Sequence, residues 1–355
     1  MLKSRSNNIA TYIRHTISGL VLVVLLISCE EIIAIDPEIS QEKILVLEGG
    51  ITNEPPPYHI SLRTAQYISG VGENTLGVGA IITLSDNTGK LEVLIEETPG
   101  NYKTTGAQIS GQVGGSYKLH IELANGEQYQ SDYDIMPSPV VVDYVYEELV
   151  SEPILNNELT VIGHSVFHKI YTNIENDKTQ KIYIKATQRN AIIEREVGLG
   201  TGCEDFGPPI CYVKREINIS DLFLISNLKT DADNLNLEIA HVPIEYKGLY
   251  YTSFSIESIS PIAHDYYSAI KKQLETAGTI FDPLIPSVPG NIYGINGTKR
   301  TAEGYFRAYA ISWADICYSR ANVALGINIP PACDYCWRYF APAFRDIPPE
   351  MQNCQ

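Results

Sequence analysis

Cysteine is the residue type with the most varied chemistry in this sequence of 355 residues. Six of the seven cysteines lie in the second half of the chain, at Cys203, Cys211, Cys317, Cys333, Cys336 and Cys354. They could form disulfides in an oxidising compartment, or a four-thiolate zinc site with Cys333 and Cys336 as one half. Disulfides are favoured because Cys317 and Cys354 stand alone and supply no second Cys-x-x-Cys.

The spacing of these cysteines suggests part of the pairing. We expect Cys203 to pair with Cys211, which would close a short loop that carries Pro208 and Pro209. The four later cysteines would then form two bridges in a disulfide-rich C-terminal tail, and the sequence leaves their pairing open.

The seventh cysteine, Cys29, follows a segment typical of export. A basic start precedes an apolar run from about residue 17 to 27, the order found in signal peptides. This run is shorter than the roughly 20 residues that a membrane-spanning helix needs. Leu26-Ile27-Ser28-Cys29 resembles the lipobox of bacterial lipoproteins, whose cysteine is acylated and begins the mature chain. The resemblance implies a signal peptide over 1–28 and lipidation of Cys29; an ordinary signal peptide with a chance cysteine is the alternative.

The charge of the chain limits its partners. The net charge is −16, which argues against nucleic acid because phosphates select basic surfaces. Residues 29–43 are predicted to be a polar tether. Glu30-Glu31 resembles the acidic start of surface-exposed lipoproteins of the Bacteroidota, which implies the outer membrane and display at the cell surface; the inner leaflet of that membrane is the alternative.

Two motifs that could support catalysis or metal binding are incomplete. The segment 163–167 is the nearest approach to Gly-x-Ser-x-Gly, but Phe167 stands where the turn after Ser165 needs glycine. His164 and His168 are four residues apart, yet their context predicts a strand, which would separate them by roughly 13 Å. We therefore predict no catalytic serine and two surface histidines.

A calcium loop is also incomplete. Residues 231–234 resemble its start, but Asn236 and Val242 occupy the positions that require glycine and glutamate. We expect a polar turn, no metal site and no cofactor.

Tyrosine is the most abundant aromatic residue, with 23 tyrosines against 8 phenylalanines and 2 tryptophans. Such side chains offer apolar area and a hydroxyl group, which suits a recognition surface. Three pairs could line one, although the sequence does not identify the ligand-binding residues: Tyr144/Tyr146, Tyr250/Tyr251 and Tyr266/Tyr267.

The elements that would position these residues are mainly β-strands. Short alternating segments with turns between them predict an antiparallel β-sandwich, Ig-like or transthyretin-like, over 44–136. Pro137-Ser138-Pro139 marks a boundary, and a second β-rich domain follows over 137–355. One strand of that domain, near 304–310, carries Tyr305, Arg307 and Tyr309 on one side.

One amphipathic helix is predicted near 261–277. Ser260 can cap its first turn, and Gly278 can end it. Its apolar stripe, expected to pack against a sheet, consists of Ile262, Tyr266, Ile270 and Leu274.

Several short strings together resemble a family of Bacteroidota outer-membrane lipoproteins that is catalogued as a domain of unknown function, the 4249 family. The strings are Glu48 to Pro55, Leu84 to Gly89 with Gly100 to Tyr102, Gly278 to Pro283, Gly290 to Ile292 and Gly304 to Phe306. Genes of this family typically lie beside a TonB-dependent receptor, so the resemblance implies an accessory subunit of an uptake system. The family has no established catalytic residues to transfer.

Three functions are consistent with these features. The first is a lipid-anchored accessory or ligand-binding protein that works with a TonB-dependent receptor in nutrient uptake, and we expect no enzymatic activity. The alternatives are an enzyme that degrades surface polymers and a structural scaffold of the envelope. The adjacent acidic pairs Glu96/Glu97 and Glu147/Glu148 do not support the enzyme, because neighbours on a strand point to opposite faces.

Overall fold

The computed structural model describes residues 43–66, 75–76, 78–156, 160–196, 210–214, 222–243, 248–276, 287–299, 302–319 and 335–354. The predicted signal peptide, the lipidation site Cys29 and the tether up to residue 42 lie outside these ranges. All described residues belong to one compact unit. None of the helices in this part of the chain has the length and apolar character to cross a membrane.

The described ranges are mainly β-structure, as predicted. The strands are β1 (Lys43–Thr52), β2 (His59–Gln66), β3 (Thr75–Leu76), β4 (Ile81–Asp86), β5 (Leu91–Val93), β6 (Ile95–Thr98), β7 (Asn101–Lys103), β8 (Ser116–Glu122), β9 (Gln128–Ser131), β10 (Asp134–Ile135), β11 (Val142–Leu155), β12 (Val161–Glu175), β13 (Tyr183–Glu196), β14 (Ile210–Lys214), β15 (Phe223–Ser226), β16 (Asn234–Pro243), β17 (Leu249–Ser258), β18 (Ile292–Ile295), β19 (Ala302–Ser319) and β20 (Ala343–Phe344). The helices are α1 (Pro261–Thr276), α2 (Cys336–Tyr339) and a 3₁₀ helix, Pro349–Cys354.

The largest sheet runs through the whole described unit. Its strand order is β20-β14-β13-β17-β19-β1-β2-β7-β6, with β15 also pairing with β13 and β3 with β2. The central pair, β1 and β19, is parallel and aligns Leu45 with Ala302 and Thr52 with Tyr309. This pairing places a strand from the end of the chain beside the first described strand.

A second sheet packs against the N-terminal half of the large one. Its strand order is β18-β9-β8-β4-β5, with β10 paired to β8. Alternate side chains of both sheets point inward, as period-two alternation predicts, and form one hydrophobic cluster. Leu47, Leu119, Tyr129 and Phe306 are among its most buried members.

A third sheet, of order β11-β12-β16, covers the opposite part of the large sheet. A separate hydrophobic cluster lies between them and includes Ile170, Ile239, Tyr250 and Phe254. The β11–β12 hairpin extends beyond this cluster. Between 149 and 167, no residue whose burial is described is buried.

The predicted two-domain division corresponds only in part to these clusters. The predicted boundary near residue 137 separates most of the first cluster from the second along the chain. However, Ile292 on β18 and Phe306 on β19 belong to the first cluster. Strands from the C-terminal part therefore complete the N-terminal sheets, and the division at 137 stays a prediction.

Helix α1 begins and ends close to its predicted positions, but of its predicted apolar stripe Tyr266 packs on the sheet whereas Ile262 and Leu274 do not. The backbone N–H of Ala263 donates to Ser260 Oγ at 3.2 Å, so Ser260 caps the helix as expected. Ile262 is 65 % exposed and Leu274 51 % exposed. The face that packs on the sheet carries Ala263, Tyr266 and Tyr267, because α1 lies over tyrosines of β13 and β19.

A buried carboxylate organises the loop after β7. Glu92 accepts hydrogen bonds through Oε1 from Thr105 N at 2.7 Å and Gly106 N at 2.8 Å, and through Oε2 from Ile109 N at 2.9 Å. Burial alone would raise the pKa of Glu92, but these donors lower it below its ordinary value. The ionised carboxylate therefore holds this loop against the sheet.

Substitution of this carboxylate tests the loop contacts. Glu92→Gln should lower the free energy of unfolding by about 1–3 kcal/mol, because an amide satisfies fewer of these backbone donors. A group with a lowered folded pKa stabilises above its unfolded pKa, so this contribution should disappear as pH falls below about 4.3. Urea unfolding at neutral and acidic pH measures both effects. Glu122→Gln on β8 is the control, and an equal loss in both variants would contradict the role of Glu92.

Candidate functional site

One face of the large sheet carries a row of polar and charged side chains beside helix α1. The sheet register pairs Lys185 on β13 with Glu257 on β17, and Thr187 with Ser255. On the other side of β17, Ser255 pairs with Trp313 on β19. Paired residues share a face of a sheet, so these side chains lie side by side on one surface.

A β-bulge adds a cation to this face. The register between β13 and β17 shifts between Gln188 and Asn190, so Arg189 is the extra residue. A bulge reorients the side chains around it. Arg189 therefore turns toward β17, where Nε donates to Ser255 Oγ at 2.8 Å.

These elements converge on Glu257, whose side chain is 0 % exposed. Its carboxylate accepts from Lys185 Nζ at 3.1 Å, from Arg189 Nη2 at 3.1 Å and from Arg307 Nη1 at 2.6 Å. Ser255 Oγ also donates to Glu257 Oε1 at 3.1 Å. We call Lys185, Arg189, Glu257 and Arg307 the Glu257 cluster.

Aromatic rings enclose the inner side of the Glu257 cluster. The guanidinium carbon of Arg307 lies 4.1 Å from the ring centroid of Tyr309, its neighbour on the same face of β19. Tyr267 of helix α1 lies over both Lys185 and Arg307, at 5.3 and 5.6 Å. These cation–π contacts favour the charged forms of both side chains and fix Arg307 in place.

The electrostatics of the cluster keep Glu257 ionised. Burial alone would raise the pKa of Glu257, but the charges of Arg307, Lys185 and Arg189 lower it to about 2. Burial lowers the pKa of Lys185 to about 8, with Arg307 acting in the same direction and Glu257 opposing it. Burial also raises the pKa of Tyr267 to about 12. At neutral pH the cluster therefore holds three cations and one carboxylate.

The outer side of the cluster is open. The side chain of Arg189 is 38 % exposed and Trp313 is 53 % exposed. Trp313 Nε1 donates to Glu54 Oε1 at 2.6 Å, which fixes one edge of the indole. This arrangement presents a cation and an aromatic face to solvent. Each of the two side chains is held in place by a hydrogen bond to a carboxylate.

The segment from Glu48 to Pro55 lies against β19 beside the site. Gly50 pairs with Arg307, and a Cβ atom on Gly50 would lie 2.2 Å from the carbonyl oxygen of Arg307. Asn53 brackets Ile311, accepting from its N–H at 2.8 Å and donating to its carbonyl at 3.3 Å. The segment from Glu48 to Pro55 therefore holds β19, the strand that carries Arg307 and Trp313, in place.

The described cysteines form two disulfides, one of which differs from the expected pairing. Cys211 bonds to Cys336, with Cα atoms 5.5 Å apart. The predictions that Cys211 pairs with Cys203 and that Cys336 forms a bridge within the C-terminal tail are therefore wrong. Cys317 bonds to Cys354, which is one bridge within the tail. Cys203 and Cys333 lie outside the described residues.

Peptide mapping can test this pairing. Proteolysis of the unreduced protein should release one linked peptide pair containing Cys211 and Cys336 and another containing Cys317 and Cys354. Both pairs should separate after reduction, since only the disulfides join them. A linked Cys203–Cys211 peptide would contradict the structure.

The two histidines differ from each other. His164 is exposed on β12, as predicted. The prediction of a surface position is wrong for His168, which is 2 % exposed, packs 4.7 Å from the Tyr318 ring and pairs through Nδ1 with Glu147. His168 lies on the third sheet and faces Tyr318 of the large sheet, and local alternation could not reveal this packing between sheets. Ser165 lies within β12, as expected.

The remaining acidic candidates have structural partners. Asp233, in the predicted polar turn, pairs with Lys178 at 2.7 Å. Glu97 pairs with Lys103, and Glu96 accepts from Gly100 N at 2.9 Å. Across the described ranges, no three His, Cys, Asp or Glu side chains are grouped to hold a metal ion.

The tyrosine pairs have different surroundings. Tyr144 and Tyr146 lie 5.7 Å apart on β11, and Tyr146 stacks on Tyr171. Tyr250 is buried against Tyr318. Of the three predicted pairs, Tyr266/Tyr267 contributes a ring, that of Tyr267, to the Glu257 cluster.

Sequence reasoning placed Arg307 and Tyr309 on one side of a strand, which the structure confirms, but it missed Glu257, Lys185 and Arg189. The sequence does contain a pattern that indicates a polar face at these positions. Ser253, Ser255 and Glu257 alternate with apolar residues on β17, as do Lys185 and its neighbours on β13. Two strands with polar residues at period two suggest a shared polar face, although not its contacts.

The fold and this site define a mainly β protein with a fixed, positively charged aromatic surface on its largest sheet. A family model described as a domain of unknown function (DUF4249) matches residues 30–313. The chain therefore belongs to this family, as its motifs predicted. Neither the curated proteins nor the solved structures include a significant match to it.

Proposed function

We propose that this protein is a lipid-anchored lipoprotein of the outer membrane of Bacteroidota, exposed at the cell surface. Cys29 carries the acyl chains, and the mature chain works as an accessory, ligand-binding subunit of a TonB-dependent receptor. The two N-terminal sheets form an Ig-like or transthyretin-like sandwich in this proposal. The lipobox and the membership of the family support the location.

A single structural observation supports ligand binding: the Glu257 cluster fixes Arg189 and leaves it exposed near Trp313. Rigid aromatic and arginine side chains on a stable sheet are typical of recognition surfaces, because little entropy is lost when a ligand orders them. The contacts hold side chains in place: the carboxylate beside the Ser255 hydroxyl is that of Glu257, whose pKa is lowered to about 2 by three cations, so it is a poor base for activating a nucleophile. We therefore favour binding over catalysis.

Co-purification tests the proposed partner. The protein, tagged after Gln355, is isolated in detergent from outer membranes, and associated proteins are identified by mass spectrometry. We expect a TonB-dependent receptor in stoichiometric amount. Recovery of the protein alone, or with envelope-assembly proteins only, would contradict the accessory role.

A further inference from the structure

The Glu257 cluster carries more positive charge than its carboxylate neutralises. Lys185, Arg189 and Arg307 all contact the single carboxylate of Glu257. The local excess of positive charge occurs in a chain whose net charge is −16. A desolvated excess of cations attracts an anion more strongly than the same charges in water, because the local dielectric constant is lower.

Arg189 has hydrogen-bonding capacity directed to solvent. Its Nε and Nη2 atoms donate to Ser255 and Glu257. Nη1 has no hydrogen bond to any residue that the structure describes, and the side chain is 38 % exposed. A guanidinium group is a planar fork of donors that matches carboxylate and phosphate oxygens. Two of its three nitrogens are thus fixed by the protein, and the third can bind a ligand oxygen.

Trp313 provides an apolar surface within reach of Arg189. Ser255 lies between them, since its Oγ accepts from Arg189 and its backbone pairs with Trp313. Adjacent strands are about 4.8 Å apart, so β13 and β19 flank β17 at a separation of about 10 Å. A ring that bears one anionic group is long enough to contact both side chains.

We propose that Arg189 and Trp313 bind a small ligand in which a carboxylate or phosphate group is attached to a ring. The anionic group bonds to Arg189 beside the Glu257 cluster, and the ring packs on Trp313. The exposed carboxylate of Asp315, two residues after Trp313 on the same strand, and that of Glu54 at the edge of the indole disfavour large polyanions and leave room for one anionic group. This inference rests on the proposed ligand-binding function but not on the identity of the receptor.

Tryptophan fluorescence of the purified mature protein can test the proposal. Trp337→Phe is used as the background, so that Trp313 is the only indole. Benzoate, phenyl phosphate and the neutral benzyl alcohol are titrated at constant ionic strength. We expect saturable changes in emission with at least one anion, at least tenfold tighter than any response to benzyl alcohol, and the preferred anion identifies the group.

Variants at Arg189 separate anion binding from a purely structural role. Arg189→Gln should weaken binding at least tenfold, whereas Arg189→Lys should retain part of it because the charge remains. Arg63→Gln, at an exposed arginine on β2, is the matched control and should bind like the background protein. Urea unfolding of each variant identifies any loss that is due to misfolding.

Three results would overturn the proposal. They are no response to either anion, a response to benzyl alcohol of equal affinity, and an Arg189→Gln variant that is folded and binds unchanged. Because these measurements use the purified protein, they do not depend on the co-purification experiment. If the purified protein binds the anion but no receptor co-purifies with it, the anion site is retained and the accessory role is rejected.

Discussion

Glu257→Gln should lower the free energy of unfolding by about 3–5 kcal/mol, because removal of one partner from a buried ion pair leaves uncompensated charge. The substitution keeps the size of the side chain but removes the negative charge that Lys185, Arg189 and Arg307 share. Lys185 and Arg307 are largely enclosed, so water cannot replace the lost interaction. Urea unfolding at neutral pH, followed by circular dichroism, measures the effect.

The control for this variant is Glu97→Gln. Glu97 also contacts a cation, Lys103, but both side chains are partly open to solvent. Exposed ion pairs contribute little to stability, so we expect little or no change. Equal effects of the two substitutions would show that burial of Glu257 does not increase the contribution of its charge to the free energy of unfolding.

The same carboxylate predicts a dependence on pH. The pKa of Glu257 is lowered to about 2 in the folded protein, from an ordinary value of 4.5. A change of one pKa unit corresponds to about 1.4 kcal/mol, so the lowered pKa stabilises the folded protein by about 3 kcal/mol. This stabilisation is present above the unfolded pKa. It should disappear as pH falls from about 4.5 toward 2. In Glu257→Gln this part of the acid dependence should be absent.

Cys29→Ala should release the protein from membranes in cells that lack the proposed receptor, which would otherwise retain it. If acyl chains on Cys29 provide the attachment, each buried CH₂ contributes about 0.8 kcal/mol, and no other anchor is predicted. The variant should move from the membrane fraction to the soluble fraction after cell lysis and high-speed centrifugation. Immunoblotting of both fractions, with an outer-membrane protein as marker, measures the change.

Ser28→Ala is the matched control for the lipidation site. It changes the residue before Cys29 but keeps it small, as cleavage sites of export signals require. We expect this variant to stay in the membrane fraction with the wild-type protein. Membrane retention of Cys29→Ala would contradict the lipobox interpretation, and release of both variants would indicate a general defect in export.

The Glu257 cluster connects stability to the proposed function. Its buried members join β13, β17 and β19 and hold helix α1 through Tyr267. The same contacts fix the side chain of Arg189 at the open edge. A charge network that costs desolvation energy within a sheet is more easily explained if it also positions a binding group. The fluorescence experiment tests this connection directly.

The sequence by itself determined the local elements. Period-two alternation located β2 and β8, and short segments rich in apolar, β-branched and aromatic residues located β1, β12 and most other described strands, because these patterns arise in each strand independently. Ser260 and the residues after it located the start of α1, since capping depends on neighbouring residues alone. The family resemblance also came from local strings, and the family match confirms it.

Only the tertiary structure decided which elements meet. The β1–β19 pair joins segments more than 250 residues apart, and Cys211 bonds to Cys336 at a sequence separation of 125. Packing of the third sheet on the large sheet buries His168, and the bulge at Arg189 completes the Glu257 cluster. Local patterns show that a side chain faces a core or a partner, but shape and charge complementarity between distant segments decides which partner it meets.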